Sequence, residues 1–417
     1  MMTRLARTST LVAAGAGAAL ALSACGGGGF DSSTSSGSQA PQSGPVTLKM
    51  LVGTSNDVEL GAVKKATESW AAKSGNKVEV TSTAKLPEEL AKGFAGGSPS
   101  DIFYLEPAQV GTFTKAGNLY AYGDQLTGID YIPALKDTFT IDGKLQCAPK
   151  DFSTLALVIN QDLWTKAGLT DADVPKDWAG LEKAATRLTA GNVTGLVINP
   201  EYQRVGTFMA QAGGSLLSDD AKTATADSPE NLAGLTEAQK LLKNGSMKLA
   251  KQVDAGWGGE ALIKGRAAMT IEGNWIRGAL SKDAPTMKVK VVELPAGPKG
   301  KGTLMFTNCW GIAARSTHQA AAVDLVKFLA QDTQQLEAAK AFGVMPSTTS
   351  AMQKYTASTP DDAGFVAGAQ HGKGMPTTPG VDGALGDFNA KVESLATGDP
   401  KAMLATLQSN LQAALKG

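Results

Sequence analysis

Histidine is nearly absent. Only His318 and His371 occur in 417 residues. A His-rich metal site is therefore excluded, and any serine triad would have to recruit one of these two. Cysteine is also scarce. Cys25, Cys147 and Cys309 form neither a C-x-x-C pair nor a Cys/His spacing suited to zinc. Charge of neither sign is in excess, because Lys plus Arg and Asp plus Glu both number 39. Without a basic surplus, sequence-independent attraction to nucleic-acid phosphates has no source. The chain has no G-x-S-x-G elbow, no H-E-x-x-H and no phosphate-binding G-x-x-x-x-G-K-[ST]. Gly297–Gly302 is only a basic, glycine-rich turn. A glycosidase would need two placed carboxylates, and nothing in the sequence singles out such a pair. These absences predict a protein with no catalytic residues, no cofactor, no metal and no nucleic-acid partner.

What is present begins with a leader. Arg4 and Arg7 precede an apolar run, Leu11–Leu22. That run is short of the roughly 20 residues a membrane-spanning helix needs, and it reads as a signal-peptide core. It ends in Leu22-Ser23-Ala24-Cys25, which resembles a bacterial lipobox with Cys25 as the lipidated residue. The following stretch to Pro45 is almost wholly Gly, Ser, Thr, Gln and Pro. Such a tether is flexible, with a reach of roughly 25 Å. The expected layout is residues 1–24 as lipoprotein signal peptide and 25–45 as lipidated cysteine and tether. Removing the leader takes away two arginines and leaves the body slightly acidic. Export permits a disulfide, and Cys147 with Cys309 allows one pairing. Two buried free thiols are the alternative.

The body alternates strands and helices. Val46–Val52 alternates like a strand, and Leu60, Val63, Ala66, Thr67 and Trp70 then fall at helical spacing. Lys77–Thr81 and Asp101–Leu105 read as strands, with a short helix at Pro87–Ala95 between them. From Ser153 a second α/β stretch follows. Strands are expected at Leu155–Asn160, Gly195–Ile198, Ala267–Ile271, Val289–Leu294 and Asn308–Ala313. A loop-rich stretch is expected from Pro346 to Gly380, before two closing helices. This order predicts open α/β sheets, whose ligands sit beyond the carboxyl ends of the strands. The loops Thr54–Asn56 and Glu106–Gln109 occupy such ends.

The blocks then carry a resemblance. Asp142–Leu163, Phe94–Tyr104, Gly213-Gly214, Gly265–Trp275 and Pro295–Gly300 stand in the order and spacing of extracellular solute-binding proteins of ABC sugar importers. The chain thus resembles the maltose-binding-like family over nearly its whole body. Asp177 stands where that family has Thr before Trp178. The resemblance implies a two-lobed periplasmic-binding-protein fold of the α/β class, with discontinuous lobes joined by a hinge. Lobe 1 would be 46–152 plus 308–345, and lobe 2 would be 153–307 plus 346–417. It implies that Cys147 and Cys309 lie beside the hinge on neighbouring strands, which favours the disulfide.

The resemblance also implies a carbohydrate site between the lobes. Sugars present hydroxyls to polar groups and C–H faces to aromatic rings. The expected ligand-binding residues are Thr54, Ser55, Asn56, Glu106, Asp151, Glu201, Tyr202, Arg204, Trp257, Asn274, Trp275 and Asp382. Trp275 would stack on the ligand. Ser153 replaces a carboxylate of the family, Trp310 is expected in the hinge core, Asp382 and Met375 flank the last cleft loop, and His371 lies in a Gly-rich loop. The implied function is capture of a sugar or oligosaccharide by a monomer, lipid-anchored at the extracytoplasmic face of the cell membrane, and its delivery to an ABC permease. A site for another solute, a glycerophosphodiester or a polyamine, is the alternative. A polyamine would call for several carboxylates around an aromatic box.

Overall fold

Leu48, Met50 and Val52 point inward from the first strand while Thr47 and Lys49 point out, the two-residue period of a half-buried strand. The helix that follows, Asp57–Ser74, buries Glu59, Val63, Thr67 and Trp70. These lie at the three- and four-residue spacing that makes one helical face. Asp57 and Glu59 in its first turn and Lys73 in its last complement the helix dipole. The computed structural model describes residues 44–53 and 57–416. Cys25, the leader, most of the tether, and Thr54, Ser55 and Asn56 lie outside the described residues.

The strands run in chain order as β1 (Thr47–Val52), β2 (Lys77–Ser82), β3 (Ile102–Leu105), a small hairpin of β4 (Thr140–Ile141) and β5 (Lys144–Leu145), β6 (Ala148–Asn160), β7 (Thr194–Ile198), β8 (Met247–Leu249), β9 (Ala267–Gly273), β10 (Val289–Val292), β11 (Thr303–Ile312), β12 (Met345–Pro346) and β13 (Gly372–Gly374). The main sheet has the order β2-β1-β3-β11-β6-β9-β7-β8. Its two ends are parallel: β1 with β2 and β3, and β7 with β8 and β9. Its centre is antiparallel, because β11 pairs β3 on one side and β6 on the other, and β6 pairs β9. The ladder between β11 and β6 shifts register between Asn308 and Cys309. Every residue of β6 is buried, as expected of a strand covered on both faces.

Separate cores flank this centre. One gathers Met50, Trp70, Phe103, Tyr122, Phe139 and Ile312. Another gathers Leu157, Phe208, Leu235, Met269, Phe388 and Leu411. A third bridges segments far apart in sequence, with Leu135, Phe152, Val158, Ile276, Met345 and Phe365. Cys147 and Cys309 are disulfide-bonded, with Cα atoms 5.6 Å apart. Trp310, next along β11, is buried and meets Tyr104 edge-on at 5.1 Å.

Several elements differ from their sequence reading. The strand expected at Leu155–Asn160 is only the second half of β6, and that expected at Asn308–Ala313 starts earlier, at Thr303. In both strands, polar residues at the sheet centre interrupt the apolar run that marks a strand in sequence. Glu106–Gln109 is not a loop: Pro107 opens the helix Pro107–Lys115, with Glu106 as its N-cap residue. Proline is favoured at that first helical position. The stretch after Pro346 holds the helices Thr349–Ser358 and Ala363–Gly368. Of their few buried residues, Tyr355 and Phe365 join the third core only through tertiary contacts.

Candidate functional site

A cavity of about 500 Å³ lies over the central strands, within the range of small-molecule sites. β6 supplies Lys150, Asp151 and Ser153 to its lining, and β11 supplies Phe306, Thr307 and Asn308. Glu59 and Glu106 come from elements of the first core. Glu201, Arg204 and Trp275 come from elements of the second. Asp382 and Asn389 lie on the helix Val381–Val392, and Met375 precedes it.

Lys150 anchors one side. Its ammonium contacts the Asp151 carboxylate and stands 3.5 Å from Glu59. It also lies 4.5 Å from the centre of the Tyr104 ring and 5.2 Å from that of Phe342, close enough for cation–π attraction. Burial opposes its charge, but Asp151 and Glu59 outweigh that and hold Lys150 above its ordinary value. Burial raises Asp151, against the pull of Lys150. Burial, with the charges of Glu59 and Asp151, also pushes the Tyr104 phenol well up.

Arg204 anchors the other side. Its Nη2 donates to Glu272 at 2.7 Å and its Nη1 to Glu201 at 3.2 Å. Glu272 is wholly buried in β9, and its Oε2 also accepts from Trp275 Nε1 at 3.1 Å. Burial raises the Glu272 carboxyl, opposed by Arg204 and Trp275. The Arg204 guanidinium lies 5.5 Å from the centre of the Trp275 ring. Phe306 meets Trp275 nearly perpendicular at 5.7 Å.

Glu106 carries a carboxylate toward open space yet is hemmed in by protein. That partial desolvation raises it, and the like charge of Asp382 adds to the effect. Asp382 accepts from the backbone of Gly383 at 2.9 Å. The two acids stand at one cavity and come from different cores.

Of the residues expected from sequence, Glu106, Asp151, Glu201, Arg204, Trp275 and Asp382 line the cavity, as do Ser153 and Met375. Three others are placed elsewhere. Tyr202 is a core residue: it meets Phe388 edge-on at 6.4 Å, and burial pushes its phenol up. Asn274 is wholly buried behind the wall, accepting from the Ser153 hydroxyl and donating its backbone N–H to the same oxygen at 3.2 Å. Trp257 packs against the third core. Its indole folds over Gly259, where an added Cβ would fall 2.2 Å from the ring. His371 is exposed, with Nε2 3.5 Å from Glu293. The expectations for Thr54, Ser55 and Asn56 lie outside the described residues.

Sequence reasoning missed Glu59, Lys150 and Glu272. Glu272 had a legible signal, as the one charged residue in the apolar strand Ala267–Gly273. Such a residue needs a partner when buried. Lys150 beside Asp151, within a strand run, carried the same signal. No group of three or more His, Cys, Asp or Glu suited to a metal occurs among the described residues. No helix among them is long and apolar enough to cross a membrane.

Residues 62–367 match the model of the bacterial extracellular solute-binding proteins. The chain belongs to that family. Its members are extracellular solute-binding proteins, not enzymes. This solute-binding protein is 23% identical over 281 residues to the diacetylchitobiose binding protein DasA of Streptomyces coelicolor, covering 65% of this chain and 66% of that one. Its fold is similar to that of the ABC substrate-binding protein Lmo0181 from Listeria monocytogenes, solved with cycloalternan. The TM-score is 0.80 at 20% identity, over 89% of this chain and all of the other. The GacH receptor of Streptomyces glaucescens, solved unliganded and with acarbose, gives a TM-score of 0.78 at 21% identity, over 89% and 99%. These likenesses establish a two-lobed, maltose-binding-like α/β fold.

Proposed function

We propose that this protein captures a carbohydrate in the cavity over β6 and β11 and delivers it to an ABC permease. Lobe 1, residues 46–152 plus 308–345, and lobe 2, residues 153–307 plus 346–417, close over the ligand about the central strands. Cys25 anchors the monomer to the extracytoplasmic face of the membrane by its lipid, and residues 26–45 form the leash. The carrying observation is the composition of one cavity: the Trp275 indole, a flat apolar surface, stands among carboxylates and an arginine drawn from both cores. That mixture suits a pyranose, which has both C–H faces and hydroxyls. The relative named for diacetylchitobiose and the structures solved with cycloalternan and acarbose support the same solute class.

Charge separates this reading from its rivals. Lys150 is held by Asp151 and Glu59, and Arg204 by Glu272 and Glu201. Both cations of the lining are thus committed, while Glu106 and Asp382 form no ion pair among the described residues. A phosphodiester would meet uncompensated negative charge. A polyamine remains the second reading, favoured by those same acids, although of the three lining rings Phe342 already faces Lys150 and Phe306 packs edge-on against Trp275, which falls short of an aromatic box. Calorimetry against mono-, di- and oligosaccharides, with a polyamine and a glycerophosphodiester alongside, tests the assignment. Saturable binding of a sugar returned unchanged is expected. Binding of the polyamine or phosphodiester alone overturns it.

A further inference from the structure

We infer that Glu272 is a positioning residue that holds the Trp275 indole at the cavity wall and never touches the ligand itself. It is absent from the cavity lining and wholly buried. One of its oxygens, Oε2, accepts from both Trp275 Nε1 at 3.1 Å and Arg204 Nη2 at 2.7 Å. The same carboxylate therefore fixes the ring and the guanidinium beside it. Its other oxygen, Oε1, and Arg204 Nε have no hydrogen-bond partner among the described residues. Among the described residues, nothing else takes the indole N–H.

Packing completes the seat. The indole lies against Gly273, where an added Cβ would fall 2.2 Å from the ring. Phe306 closes the side at 5.7 Å. Glycine and phenylalanine fill space but do not stop the ring from rocking in its plane. A hydrogen bond to a charged acceptor does, and such bonds are stronger and more directional than neutral ones. A stacking ring held in one orientation needs less ordering when the ligand arrives, so more of the contact energy appears as affinity. The acid is a demanding choice for a strand of apolar residues, because an unpaired buried carboxylate is costly. Its pairing with Arg204, 68 residues away in sequence, makes the choice tolerable and binds helix Tyr202–Gln211 to β9.

This inference rests on reading Trp275 as a ligand surface, but its first test needs no ligand. The chain has six tryptophans, so ¹⁵N-indole NMR of the whole protein gives six side-chain resonances to separate. Trp275→Phe identifies the one from Trp275. In Glu272→Ala that resonance is expected to shift upfield and to exchange with water at least about tenfold faster. In Glu272→Gln, which keeps an oxygen acceptor and guards against a variant that fails to fold, it should stay near its wild-type position. An unchanged Trp275 resonance in folded Glu272→Ala overturns the proposal.

The second test is a double-mutant cycle on affinity for a sugar that binds the wild type. Glu272→Ala should weaken binding about tenfold. In the Trp275→Phe background, which has no indole N–H to hold, the same change should weaken it less than about twofold. Equal losses in both backgrounds would mean that Glu272 acts on the fold or through Arg204 alone, and would sink the proposal. If no sugar binds the wild type, the carbohydrate reading fails while the NMR result still decides the role of Glu272.

Discussion

Cys147 is bonded to Cys309 across 162 residues of sequence, beside the register shift of β11 on β6. Cys309 pairs with Pro149 on one side and with Leu105 on the other. The bond therefore pins β11 where it passes between β3 and β6. Both sulfurs lie in the first core, out of reach of solvent. Closing so long a loop removes much freedom from the unfolded chain, an effect of about 2–5 kcal/mol. Replacing both cysteines by serine should lower the denaturant midpoint accordingly, and reductant should then have no further effect. Equal midpoints for the two proteins would contradict this.

Trp275 and Trp70 should respond oppositely to truncation. Trp70 is 2% exposed and donates its indole N–H to Asp324 at 2.8 Å. Trp70→Ala should cost about 3–5 kcal/mol of stability. Trp275→Ala should cost roughly 2–4 kcal/mol of sugar affinity, the size of a binding hot spot, with a smaller fall in melting temperature. A Trp275→Ala protein that melts far lower yet binds normally when folded would place Trp275 in the core.

Glu106 should leave a mark on the pH dependence of stability. Its carboxyl is raised by desolvation and by Asp382. A raised acid favours the folded state fully below the ordinary glutamate value, near about 4.3, and that contribution is lost as pH rises through the folded value. Glu106→Gln should therefore flatten the fall in melting temperature just above pH 4 and slightly raise it at neutral pH. The check is a thermal-melt series from pH 3 to 8. An unchanged slope would show that Glu106 does not feel this environment.

Ligand binding should draw the lobes together. A solute touching Glu106 on one side and Glu201 on the other favours the closed form by its differential affinity. Small-angle scattering should report a smaller radius of gyration with a saturating, calorimetrically proven sugar. The same radius in both states, together with a free form shown to be open, would count against closure.

On the proposed lipid anchoring at Cys25, Cys25→Ala should move the protein from the membrane fraction to a soluble or unprocessed one. Unchanged partition of a correctly cleaved chain would refute the lipid anchor.

Local periodicity was enough for much of this molecule. The alternation of Leu48, Met50 and Val52 marks a strand, and the spacing of Val63, Thr67 and Trp70 marks a helix face. These patterns survive because each element buries one side of itself, whatever its partner. The order of short motifs from Phe94 to Gly300 likewise pointed to a solute-binding fold. Composition alone spoke against a His-rich metal site and against a basic surface for nucleic-acid phosphates. Which side chains meet was another matter. Trp257 and Trp275 both begin short helices and both lean on a glycine, yet only Trp275 reaches the cavity. Tyr202 and Arg204 are two residues apart on one helix, so one turns into the core while the other faces Glu272. Glu59, Lys150 and Asp151 form one charge cluster from a helix and a strand far apart in sequence. No one-dimensional period encodes these meetings. They follow from the sheet order and from the register of β11 on β6, which bring distant segments to the same few ångströms.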